Sequence, residues 1–212
     1  MVGLLSLLSL VSFGQLNAEF TADTTFGCGS LGVQFTDQST GNITSRSWSF
    51  GNTNNSTLTN PFENYSVGVY TVSLTVSDGT NSDTETKVAY IRVFSEPTAD
   101  FTFTPATGCT PLPVSFTSTS TPAGGPIQTY IWDLDDGTQG PSQANFTHTY
   151  IGGGPYQPTL QVIDVNGCSD SKQSTTNITP TASPIADFTT QSTPIGCATP
   201  FNVNFVNNSI GS

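Results

Sequence analysis

The strongest constraint on this chain is an internal repeat. Glu19-Phe20-Thr21, Asp100-Phe101-Thr102 and Asp187-Phe188-Thr189 recur at spacings of 81 and 87 residues. A cysteine follows each, at Cys28, Cys109 and Cys197, and then an alternating stretch: Val33-Gln34-Phe35-Thr36, Val114-Ser115-Phe116-Thr117 and Val203-Asn204-Phe205-Val206. A period of this length marks an array of similar domains, and self-similarity decides the fold before any single site does. The first two copies run on in parallel. Trp48 answers Trp132, Tyr65 answers Tyr150, and Gly68-Val69-Tyr70 answers Gly154-Pro155-Tyr156.

Within each copy the local signals are those of strands. In Tyr130-Ile131-Trp132-Asp133-Leu134, Tyr130, Trp132 and Leu134 alternate with Ile131 and Asp133, the period-2 pattern of a strand with one face in a core. Asp135-Asp136-Gly137 then supplies turn residues that tolerate a positive φ. Ser47-Trp48-Ser49-Phe50-Gly51-Asn52 repeats the arrangement. Long alternating strands follow at Val72-Ser73-Leu74-Thr75-Val76 and at Pro158-Thr159-Leu160-Gln161-Val162, with final strands expected over residues 84–93 and 171–178. Abundant Thr, Val, Phe and Tyr with 20 Gly and 14 Pro is an all-β composition. The fold class read from this is all-β: tandem immunoglobulin-like β-sandwiches of about seven strands each.

These landmarks carry a family resemblance. Trp132-Asp133-Leu134-Asp135-Asp136-Gly137 resembles the Trp-Asp-Phe-Gly-Asp-Gly signature of PKD (polycystic kidney disease) domains. His148-Thr149-Tyr150, Gly154-Pro155-Tyr156 and Leu160-Gln161-Val162 stand in the family's order after it. The first copy lacks both signature acids and has Glu63-Asn64-Tyr65 in place of His-Thr-Tyr. The organisation expected is a signal peptide over 1–18, a first PKD domain over 19–95, a second over 96–180, and the start of a third over 181–212 within a longer array. Short proline-bearing linkers between copies suggest semi-rigid beads.

Four Lys+Arg against 15 Asp+Glu give a net charge of -11. Phosphate-backbone binding needs clustered cations, and Arg46, Lys87, Arg92 and Lys172 are scattered. Nucleic acid is therefore excluded as a partner. The short apolar run at residues 4–11, followed by small residues up to Ala18, fits a secretory h-region and is too short to span a bilayer. It lacks the positive residues that usually precede such a run. No later segment could insert into a membrane.

Candidate sites are few. Four cysteines in an exported chain invite disulfides. Cys109 with Cys168 is favoured, because both lie within one complete module, whereas the first copy has only Thr80-Asn81-Ser82 where Cys168 would be; Cys28 is then a free thiol. The bond needs Cα atoms within about 7 Å and fails if the first loop and the last hairpin sit at opposite ends of the sandwich. Asp133, Asp135 and Asp136 are candidate Ca²⁺ ligands, but a cage needs about six to eight oxygens. Asp and Gly at a strand-to-turn junction more often bond their own backbone. No other cofactor is expected. His148, the one histidine, lacks a nucleophile motif nearby and reads as a structural strand residue. Trp48, Tyr65, Tyr70, Trp132, Tyr150 and Tyr156 read as signature and core residues rather than sugar platforms.

The resemblance implies a non-catalytic, secreted or cell-surface spacer and adhesion module. Its partners would be neighbouring PKD domains of the same chain and a protein or carbohydrate ligand not named by the sequence. The Gly-Cys and Asn-Gly-Cys landmarks look like surface proteins exported by the type IX secretion system. The competing reading is a set of accessory modules in a secreted protease or polysaccharide-degrading enzyme.

Overall fold

A computed structural model describes residues 15–190 and 203–210. It divides into two compact units that meet between Glu96 and Pro97. No described helix is long and apolar enough to cross a membrane.

The first unit contains β1 (Phe20–Ala22), β2 (Phe26–Cys28), β3 (Ser30–Asp37), β4 (Ser45–Ser49), β5 (Asn55–Ser56), β6 (Phe62–Ser66), β7 (Gly68–Ser77) and β8 (Ser82–Phe94). They form a three-stranded sheet in the order β1-β3-β6 and a five-stranded sheet in the order β2-β8-β7-β4-β5. Alternation is what builds the core. Val33 and Phe35 on β3, Trp48 on β4 and Val72, Leu74 and Val76 on β7 all point inward and are fully buried. Phe20, Phe35 and Phe50 surround Trp48, with ring centroids 5.2–6.3 Å away. Edge, tilted and stacked aromatic packing of this kind adds to the burial of large apolar area.

The second unit repeats the plan with β9 (Phe101–Thr104), β10 (Thr107–Cys109), β11 (Leu112–Ser118), β12 (Ile127–Asp133), β13 (Asn145–Tyr150), β14 (Thr159–Asp164), β15 (Ser169–Gln173) and β16 (Thr179–Thr181). Its sheets are β13-β11-β9, β12-β14-β15 and the parallel pair β10-β16. Trp132 sits among Phe101, Phe116 and Phe146 at 5.1–5.6 Å. The last long strand differs between units. β8 is continuous, whereas its counterpart breaks after Gln173 into β15 and β16. In the gap the Ser174 hydroxyl donates to the Thr176 carbonyl at 2.6 Å and accepts from its N–H at 3.1 Å. A Ser side chain closing a local turn this way competes with the ladder, so the strand expected over 171–178 stops early.

The module limits also shift. The leader expected over 1–18 lies outside the described residues as far as residue 14. Its last residues belong to the sandwich: Asn17 bridges Thr40, and Ala18 is buried, its N–H donating to Asp83 Oδ2 at 2.7 Å. Ala99 repeats this tie with Asp170 at 2.8 Å. At the other end β16 carries the second module to Thr181. Of the third copy, β17 (Phe188–Thr190) and β18 (Phe205–Asn207) pair antiparallel with Phe188 opposite Asn207. The first strand pair of each earlier copy begins the same way, with Phe20 opposite Asp37 and Phe101 opposite Ser118. Cys197 lies outside the described residues.

The cysteines depart from expectation. Cys109 is free and exposed, so the anticipated Cys109–Cys168 bond does not form. Cys28, expected to be free, and Cys168 are each disulfide-bonded. What keeps Cys109 from Cys168 is the length of the last strand. Cys28 lies opposite Phe94, the final residue of β8, while the hairpin that answers Cys168 is at Ser82, its first. Thirteen residues of strand span roughly 40 Å at about 3.3 Å per residue. Cys109 likewise lies opposite Thr181, and Cys168 at the far hairpin, where its N–H donates to Asp164. The two positions occupy opposite ends of one sandwich.

Candidate functional site

Asp133, Asp135, Asp136 and His148 come together where β12 leaves the core of the second module. The chain must reverse there, and it does so through Asp135 at φ 63° and Gly137 at φ 84°. Each acid of the turn is engaged by the protein. Asp133 Oδ1 accepts from the Asp135 N–H at 3.0 Å, and Asp135 Oδ2 accepts from the Gln157 N–H at 2.8 Å. Asp136 Oδ1 accepts from the Thr138 N–H at 3.0 Å and its hydroxyl at 2.6 Å. Asp136 Oδ2 meets His148 Nε2 at 2.7 Å. Thus the carboxylates considered as Ca²⁺ ligands act as turn acceptors in this structure. Among the described residues no three His, Cys, Asp or Glu are grouped to hold a metal ion.

His148 sits on β13, two residues before Tyr150, and ties that strand to the acidic turn. Its ring packs edge-on against Tyr150 at 4.7 Å. Burial pushes the Asp136 carboxyl up, but hydrogen bonds from Thr138 and His148 outweigh it and leave the group below its ordinary range. Tyr150 is fully buried and donates its hydroxyl to the Leu134 carbonyl at 3.0 Å, closing the turn from beneath. Burial also raises its phenol above the usual range. Tyr156 stacks on Tyr150 at 4.7 Å, as Tyr70 packs on Tyr65 at 4.7 Å in the first module. Between turn and strand lies a shallow cleft of about 270 Å³ lined by Asp136, His148, Ile151 and Tyr156.

The first module builds the same clasp from other residues. Asn52 stands in the place of Asp136, and Glu63 in that of His148. Asn52 Nδ2 donates to Glu63 Oε1 at 2.9 Å, and Asn54 Nδ2 to the same oxygen at 2.8 Å. Donor and acceptor have exchanged sides of the turn. The clasp was not anticipated from the sequence. Its signal was there, as a polar pair that changes together between copies, Asp/His in one and Asn/Glu in the other. Trp48 and Trp132 are fully buried, each donating its indole N–H to a loop carbonyl at 2.9 Å, Leu58 and Gln143 respectively.

Repeated sandwiches, each centred on one tryptophan and with its turn acids committed to hydrogen bonds, define a class of modular β-sandwich arrays. The family model of the PKD domain matches residues 16–93 and 95–180, most of the chain. The chain belongs to the PKD domain family.

Among solved structures, the PKD1 domain of Vibrio cholerae metalloprotease PrtV is similar at 32% identity, over 40% of this chain and 98% of that one, with a TM-score of 0.34. A structure of carbohydrate-binding modules from the β-sandwich superfamily is similar at 28% identity, with a TM-score of 0.39. That alignment covers 44% of each chain, so the present chain spans less than half of that relative's length. Clostridium thermocellum CbhA fibronectin(III)-like modules align over 77% of this chain and 95% of theirs at 15% identity, with a TM-score of 0.45.

Proposed function

We propose that this chain is an extracellular, non-catalytic spacer and interaction array, part of a surface or secreted protein. The observation that supports it best is what the two PKD modules have in common. They share the tryptophan-centred core, the clasped turn and the buried tyrosine, which are devices for making rigid sandwiches. The groups that could do chemistry are used for shape: the one histidine holds a turn, and its acids accept hydrogen bonds. Disulfide-bonded Cys28 and Cys168 favour an oxidising compartment, which agrees with the apolar run at residues 4–11 as an export signal. Stacked modules of this kind hold a binding surface at a distance, and repeated weak contacts gain by avidity.

Surface labelling of intact cells tests the reading. A membrane-impermeant lysine reagent should modify Lys172, which has no ion pair among the described residues, without lysis; protection until the cells are broken would sink it. Sequencing the full gene decides between the two forms of the proposal. Further PKD copies and a sorting domain support an adhesin or stalk. A protease or glycosidase domain makes these residues the accessory modules of a hydrolase.

A further inference from the structure

The two modules differ at the open side of the sandwich, where the first strand of one sheet faces the last strand of the other. In the first module this side is closed from within. Lys87 on β8 lays its ammonium 4.8 Å from the centre of the Phe20 ring and 5.5 Å from that of Tyr90, and donates to Glu19 Oε1 at 2.7 Å. Glu19 Oε1 also accepts from the Phe20 N–H at 2.9 Å. Tyr90 adds its hydroxyl as acceptor for the Ala22 N–H at 3.2 Å, and Phe20 is left with no exposure. The hydrogen bonds from Lys87 and Phe20 hold the Glu19 carboxyl below its ordinary range. An ammonium between a carboxylate and an aromatic ring is a favourable seat, combining charge pairing with a cation–π contact.

The second module keeps the seat and loses the occupant. Asp100 stands where Glu19 stands, and its Oδ1 accepts from the Phe101 N–H at 2.9 Å, as in the first copy. The ladder gives the correspondence on the opposite edge. Glu85 pairs with Leu74 and Lys172 with Leu160, and the chain ends of the two strands face Cys28 and Cys109. Two residues on from Lys172, Ser174 therefore takes the place of Lys87, and Asn177 that of Tyr90. With a long cation and a ring replaced by small polar groups, and with the strand broken there, a cleft of about 410 Å³ opens. Asp100, Phe101 and Phe103 line one side, Lys172, Ser174 and Thr175 the other. Phe101 is partly exposed and lines it, where Phe20 is sealed. Lys172 forms no ion pair among the described residues.

We propose that this cleft receives a lysine side chain of a partner protein, its ammonium seated between the Asp100 carboxylate and the Phe101 ring as Lys87 is seated in the first module. The first copy is in effect the occupied form of the site. The chain's net charge of -11 draws a basic partner toward it. Lys172 at the rim opposes the incoming cation and limits its affinity, so a single such contact is weak and acts through repetition along an array. The proposal rests on the interaction-array reading but is tested apart from it, since surface labelling reports location and the following experiment reports the cleft.

The test is a titration of the ¹⁵N-labelled chain with n-butylammonium chloride at constant ionic strength, followed by amide shifts. Saturable millimolar binding should move Phe101, Thr102, Thr175 and Thr176 and leave the first module's Glu19–Ala22 amides still. Asp100→Asn should weaken it about two- to fivefold, the scale of one exposed charged contact, and Lys172→Met should strengthen it. Ser174→Lys, which restores the internal occupant, should abolish probe binding and raise the melting temperature of the module. Shifts spread evenly over the acidic surface, or indifferent to Asp100→Asn, would overturn the proposal. So would loss of binding in Lys172→Met, or a response to methyl β-glucoside without one to butylammonium.

Discussion

Tyr65 and Tyr150 hold the same place in two copies of one module, yet their hydroxyls meet different surroundings. Tyr150 donates to the Leu134 carbonyl, whereas the buried Tyr65 hydroxyl has no hydrogen-bond partner among the described residues. Breaking a buried hydrogen bond strands its partner, while removing an unsatisfied group does not. Tyr150→Phe should therefore cost the second module about 1–2 kcal/mol, and Tyr65→Phe should be neutral or slightly stabilising. Each module carries one tryptophan, so the indole N–H signals of Trp48 and Trp132 report the two unfolding transitions separately in urea. Equal costs for the two variants would contradict the assignment. Asp136 adds a pH dependence. Its folded-state carboxyl lies below the unfolded range, so its contribution is present above about pH 4 and is lost as pH falls through the folded value. Asp136→Asn should lower stability at neutral pH and flatten the second module's acid sensitivity below about pH 4, followed at Trp132.

The turn after the tryptophan strand shows how an element keeps its shape while its residues change. Left-handed backbone occurs at corresponding positions in both copies. Gly51 at φ 77° answers Asp135 at φ 63°, and Thr53 at φ 75° answers Gly137 at φ 84°. Glycine serves the first position in one copy and the second in the other. At Gly51 the choice is forced, because a Cβ would lie 2.5 Å from the Thr71 carbonyl oxygen. Thr53 is the strained member, since a β-branched residue is disfavoured there. Thr53→Gly should stabilise the first module by about 1 kcal/mol, read as a rise in its urea midpoint at the Trp48 signal. No change would show that the turn relaxes around threonine at little cost.

At the scale of the whole molecule, the two units have separate apolar cores, one around Trp48 and one around Trp132. Trp132→Ala removes the ring on which Phe101, Phe116 and Phe146 converge and should cost about 3–5 kcal/mol. The second module should then unfold at lower urea while the Trp48 signal keeps its midpoint. A melting temperature unchanged within a degree or so would mean that Trp132 is not central to its core.

The repeat, the all-β character and the inward positions of the main strands were legible in the sequence, while Tyr70 and Tyr156, read there as core, lie partly buried against the two cores. Alternation is local, with a period of two residues, and inward positions such as Val33, Phe35, Trp132 and Leu160 can be read off neighbours alone. Features that needed the folded chain involve groups far apart along it. Folding set Cys109 beside Thr181, at the end of the module away from Cys168, because strand direction and length rather than membership of one module govern which cysteines can meet. It joined Asp136 to His148 and Asn52 to Glu63, pairs whose exchange of donor and acceptor becomes legible only when the turn folds against β13 and β6. It also separated two similar edges, one sealed by Lys87 and Tyr90 and one left open over Phe101. Small side chains and a broken strand leave room that no local pattern records, since a cleft belongs to two sheets at once.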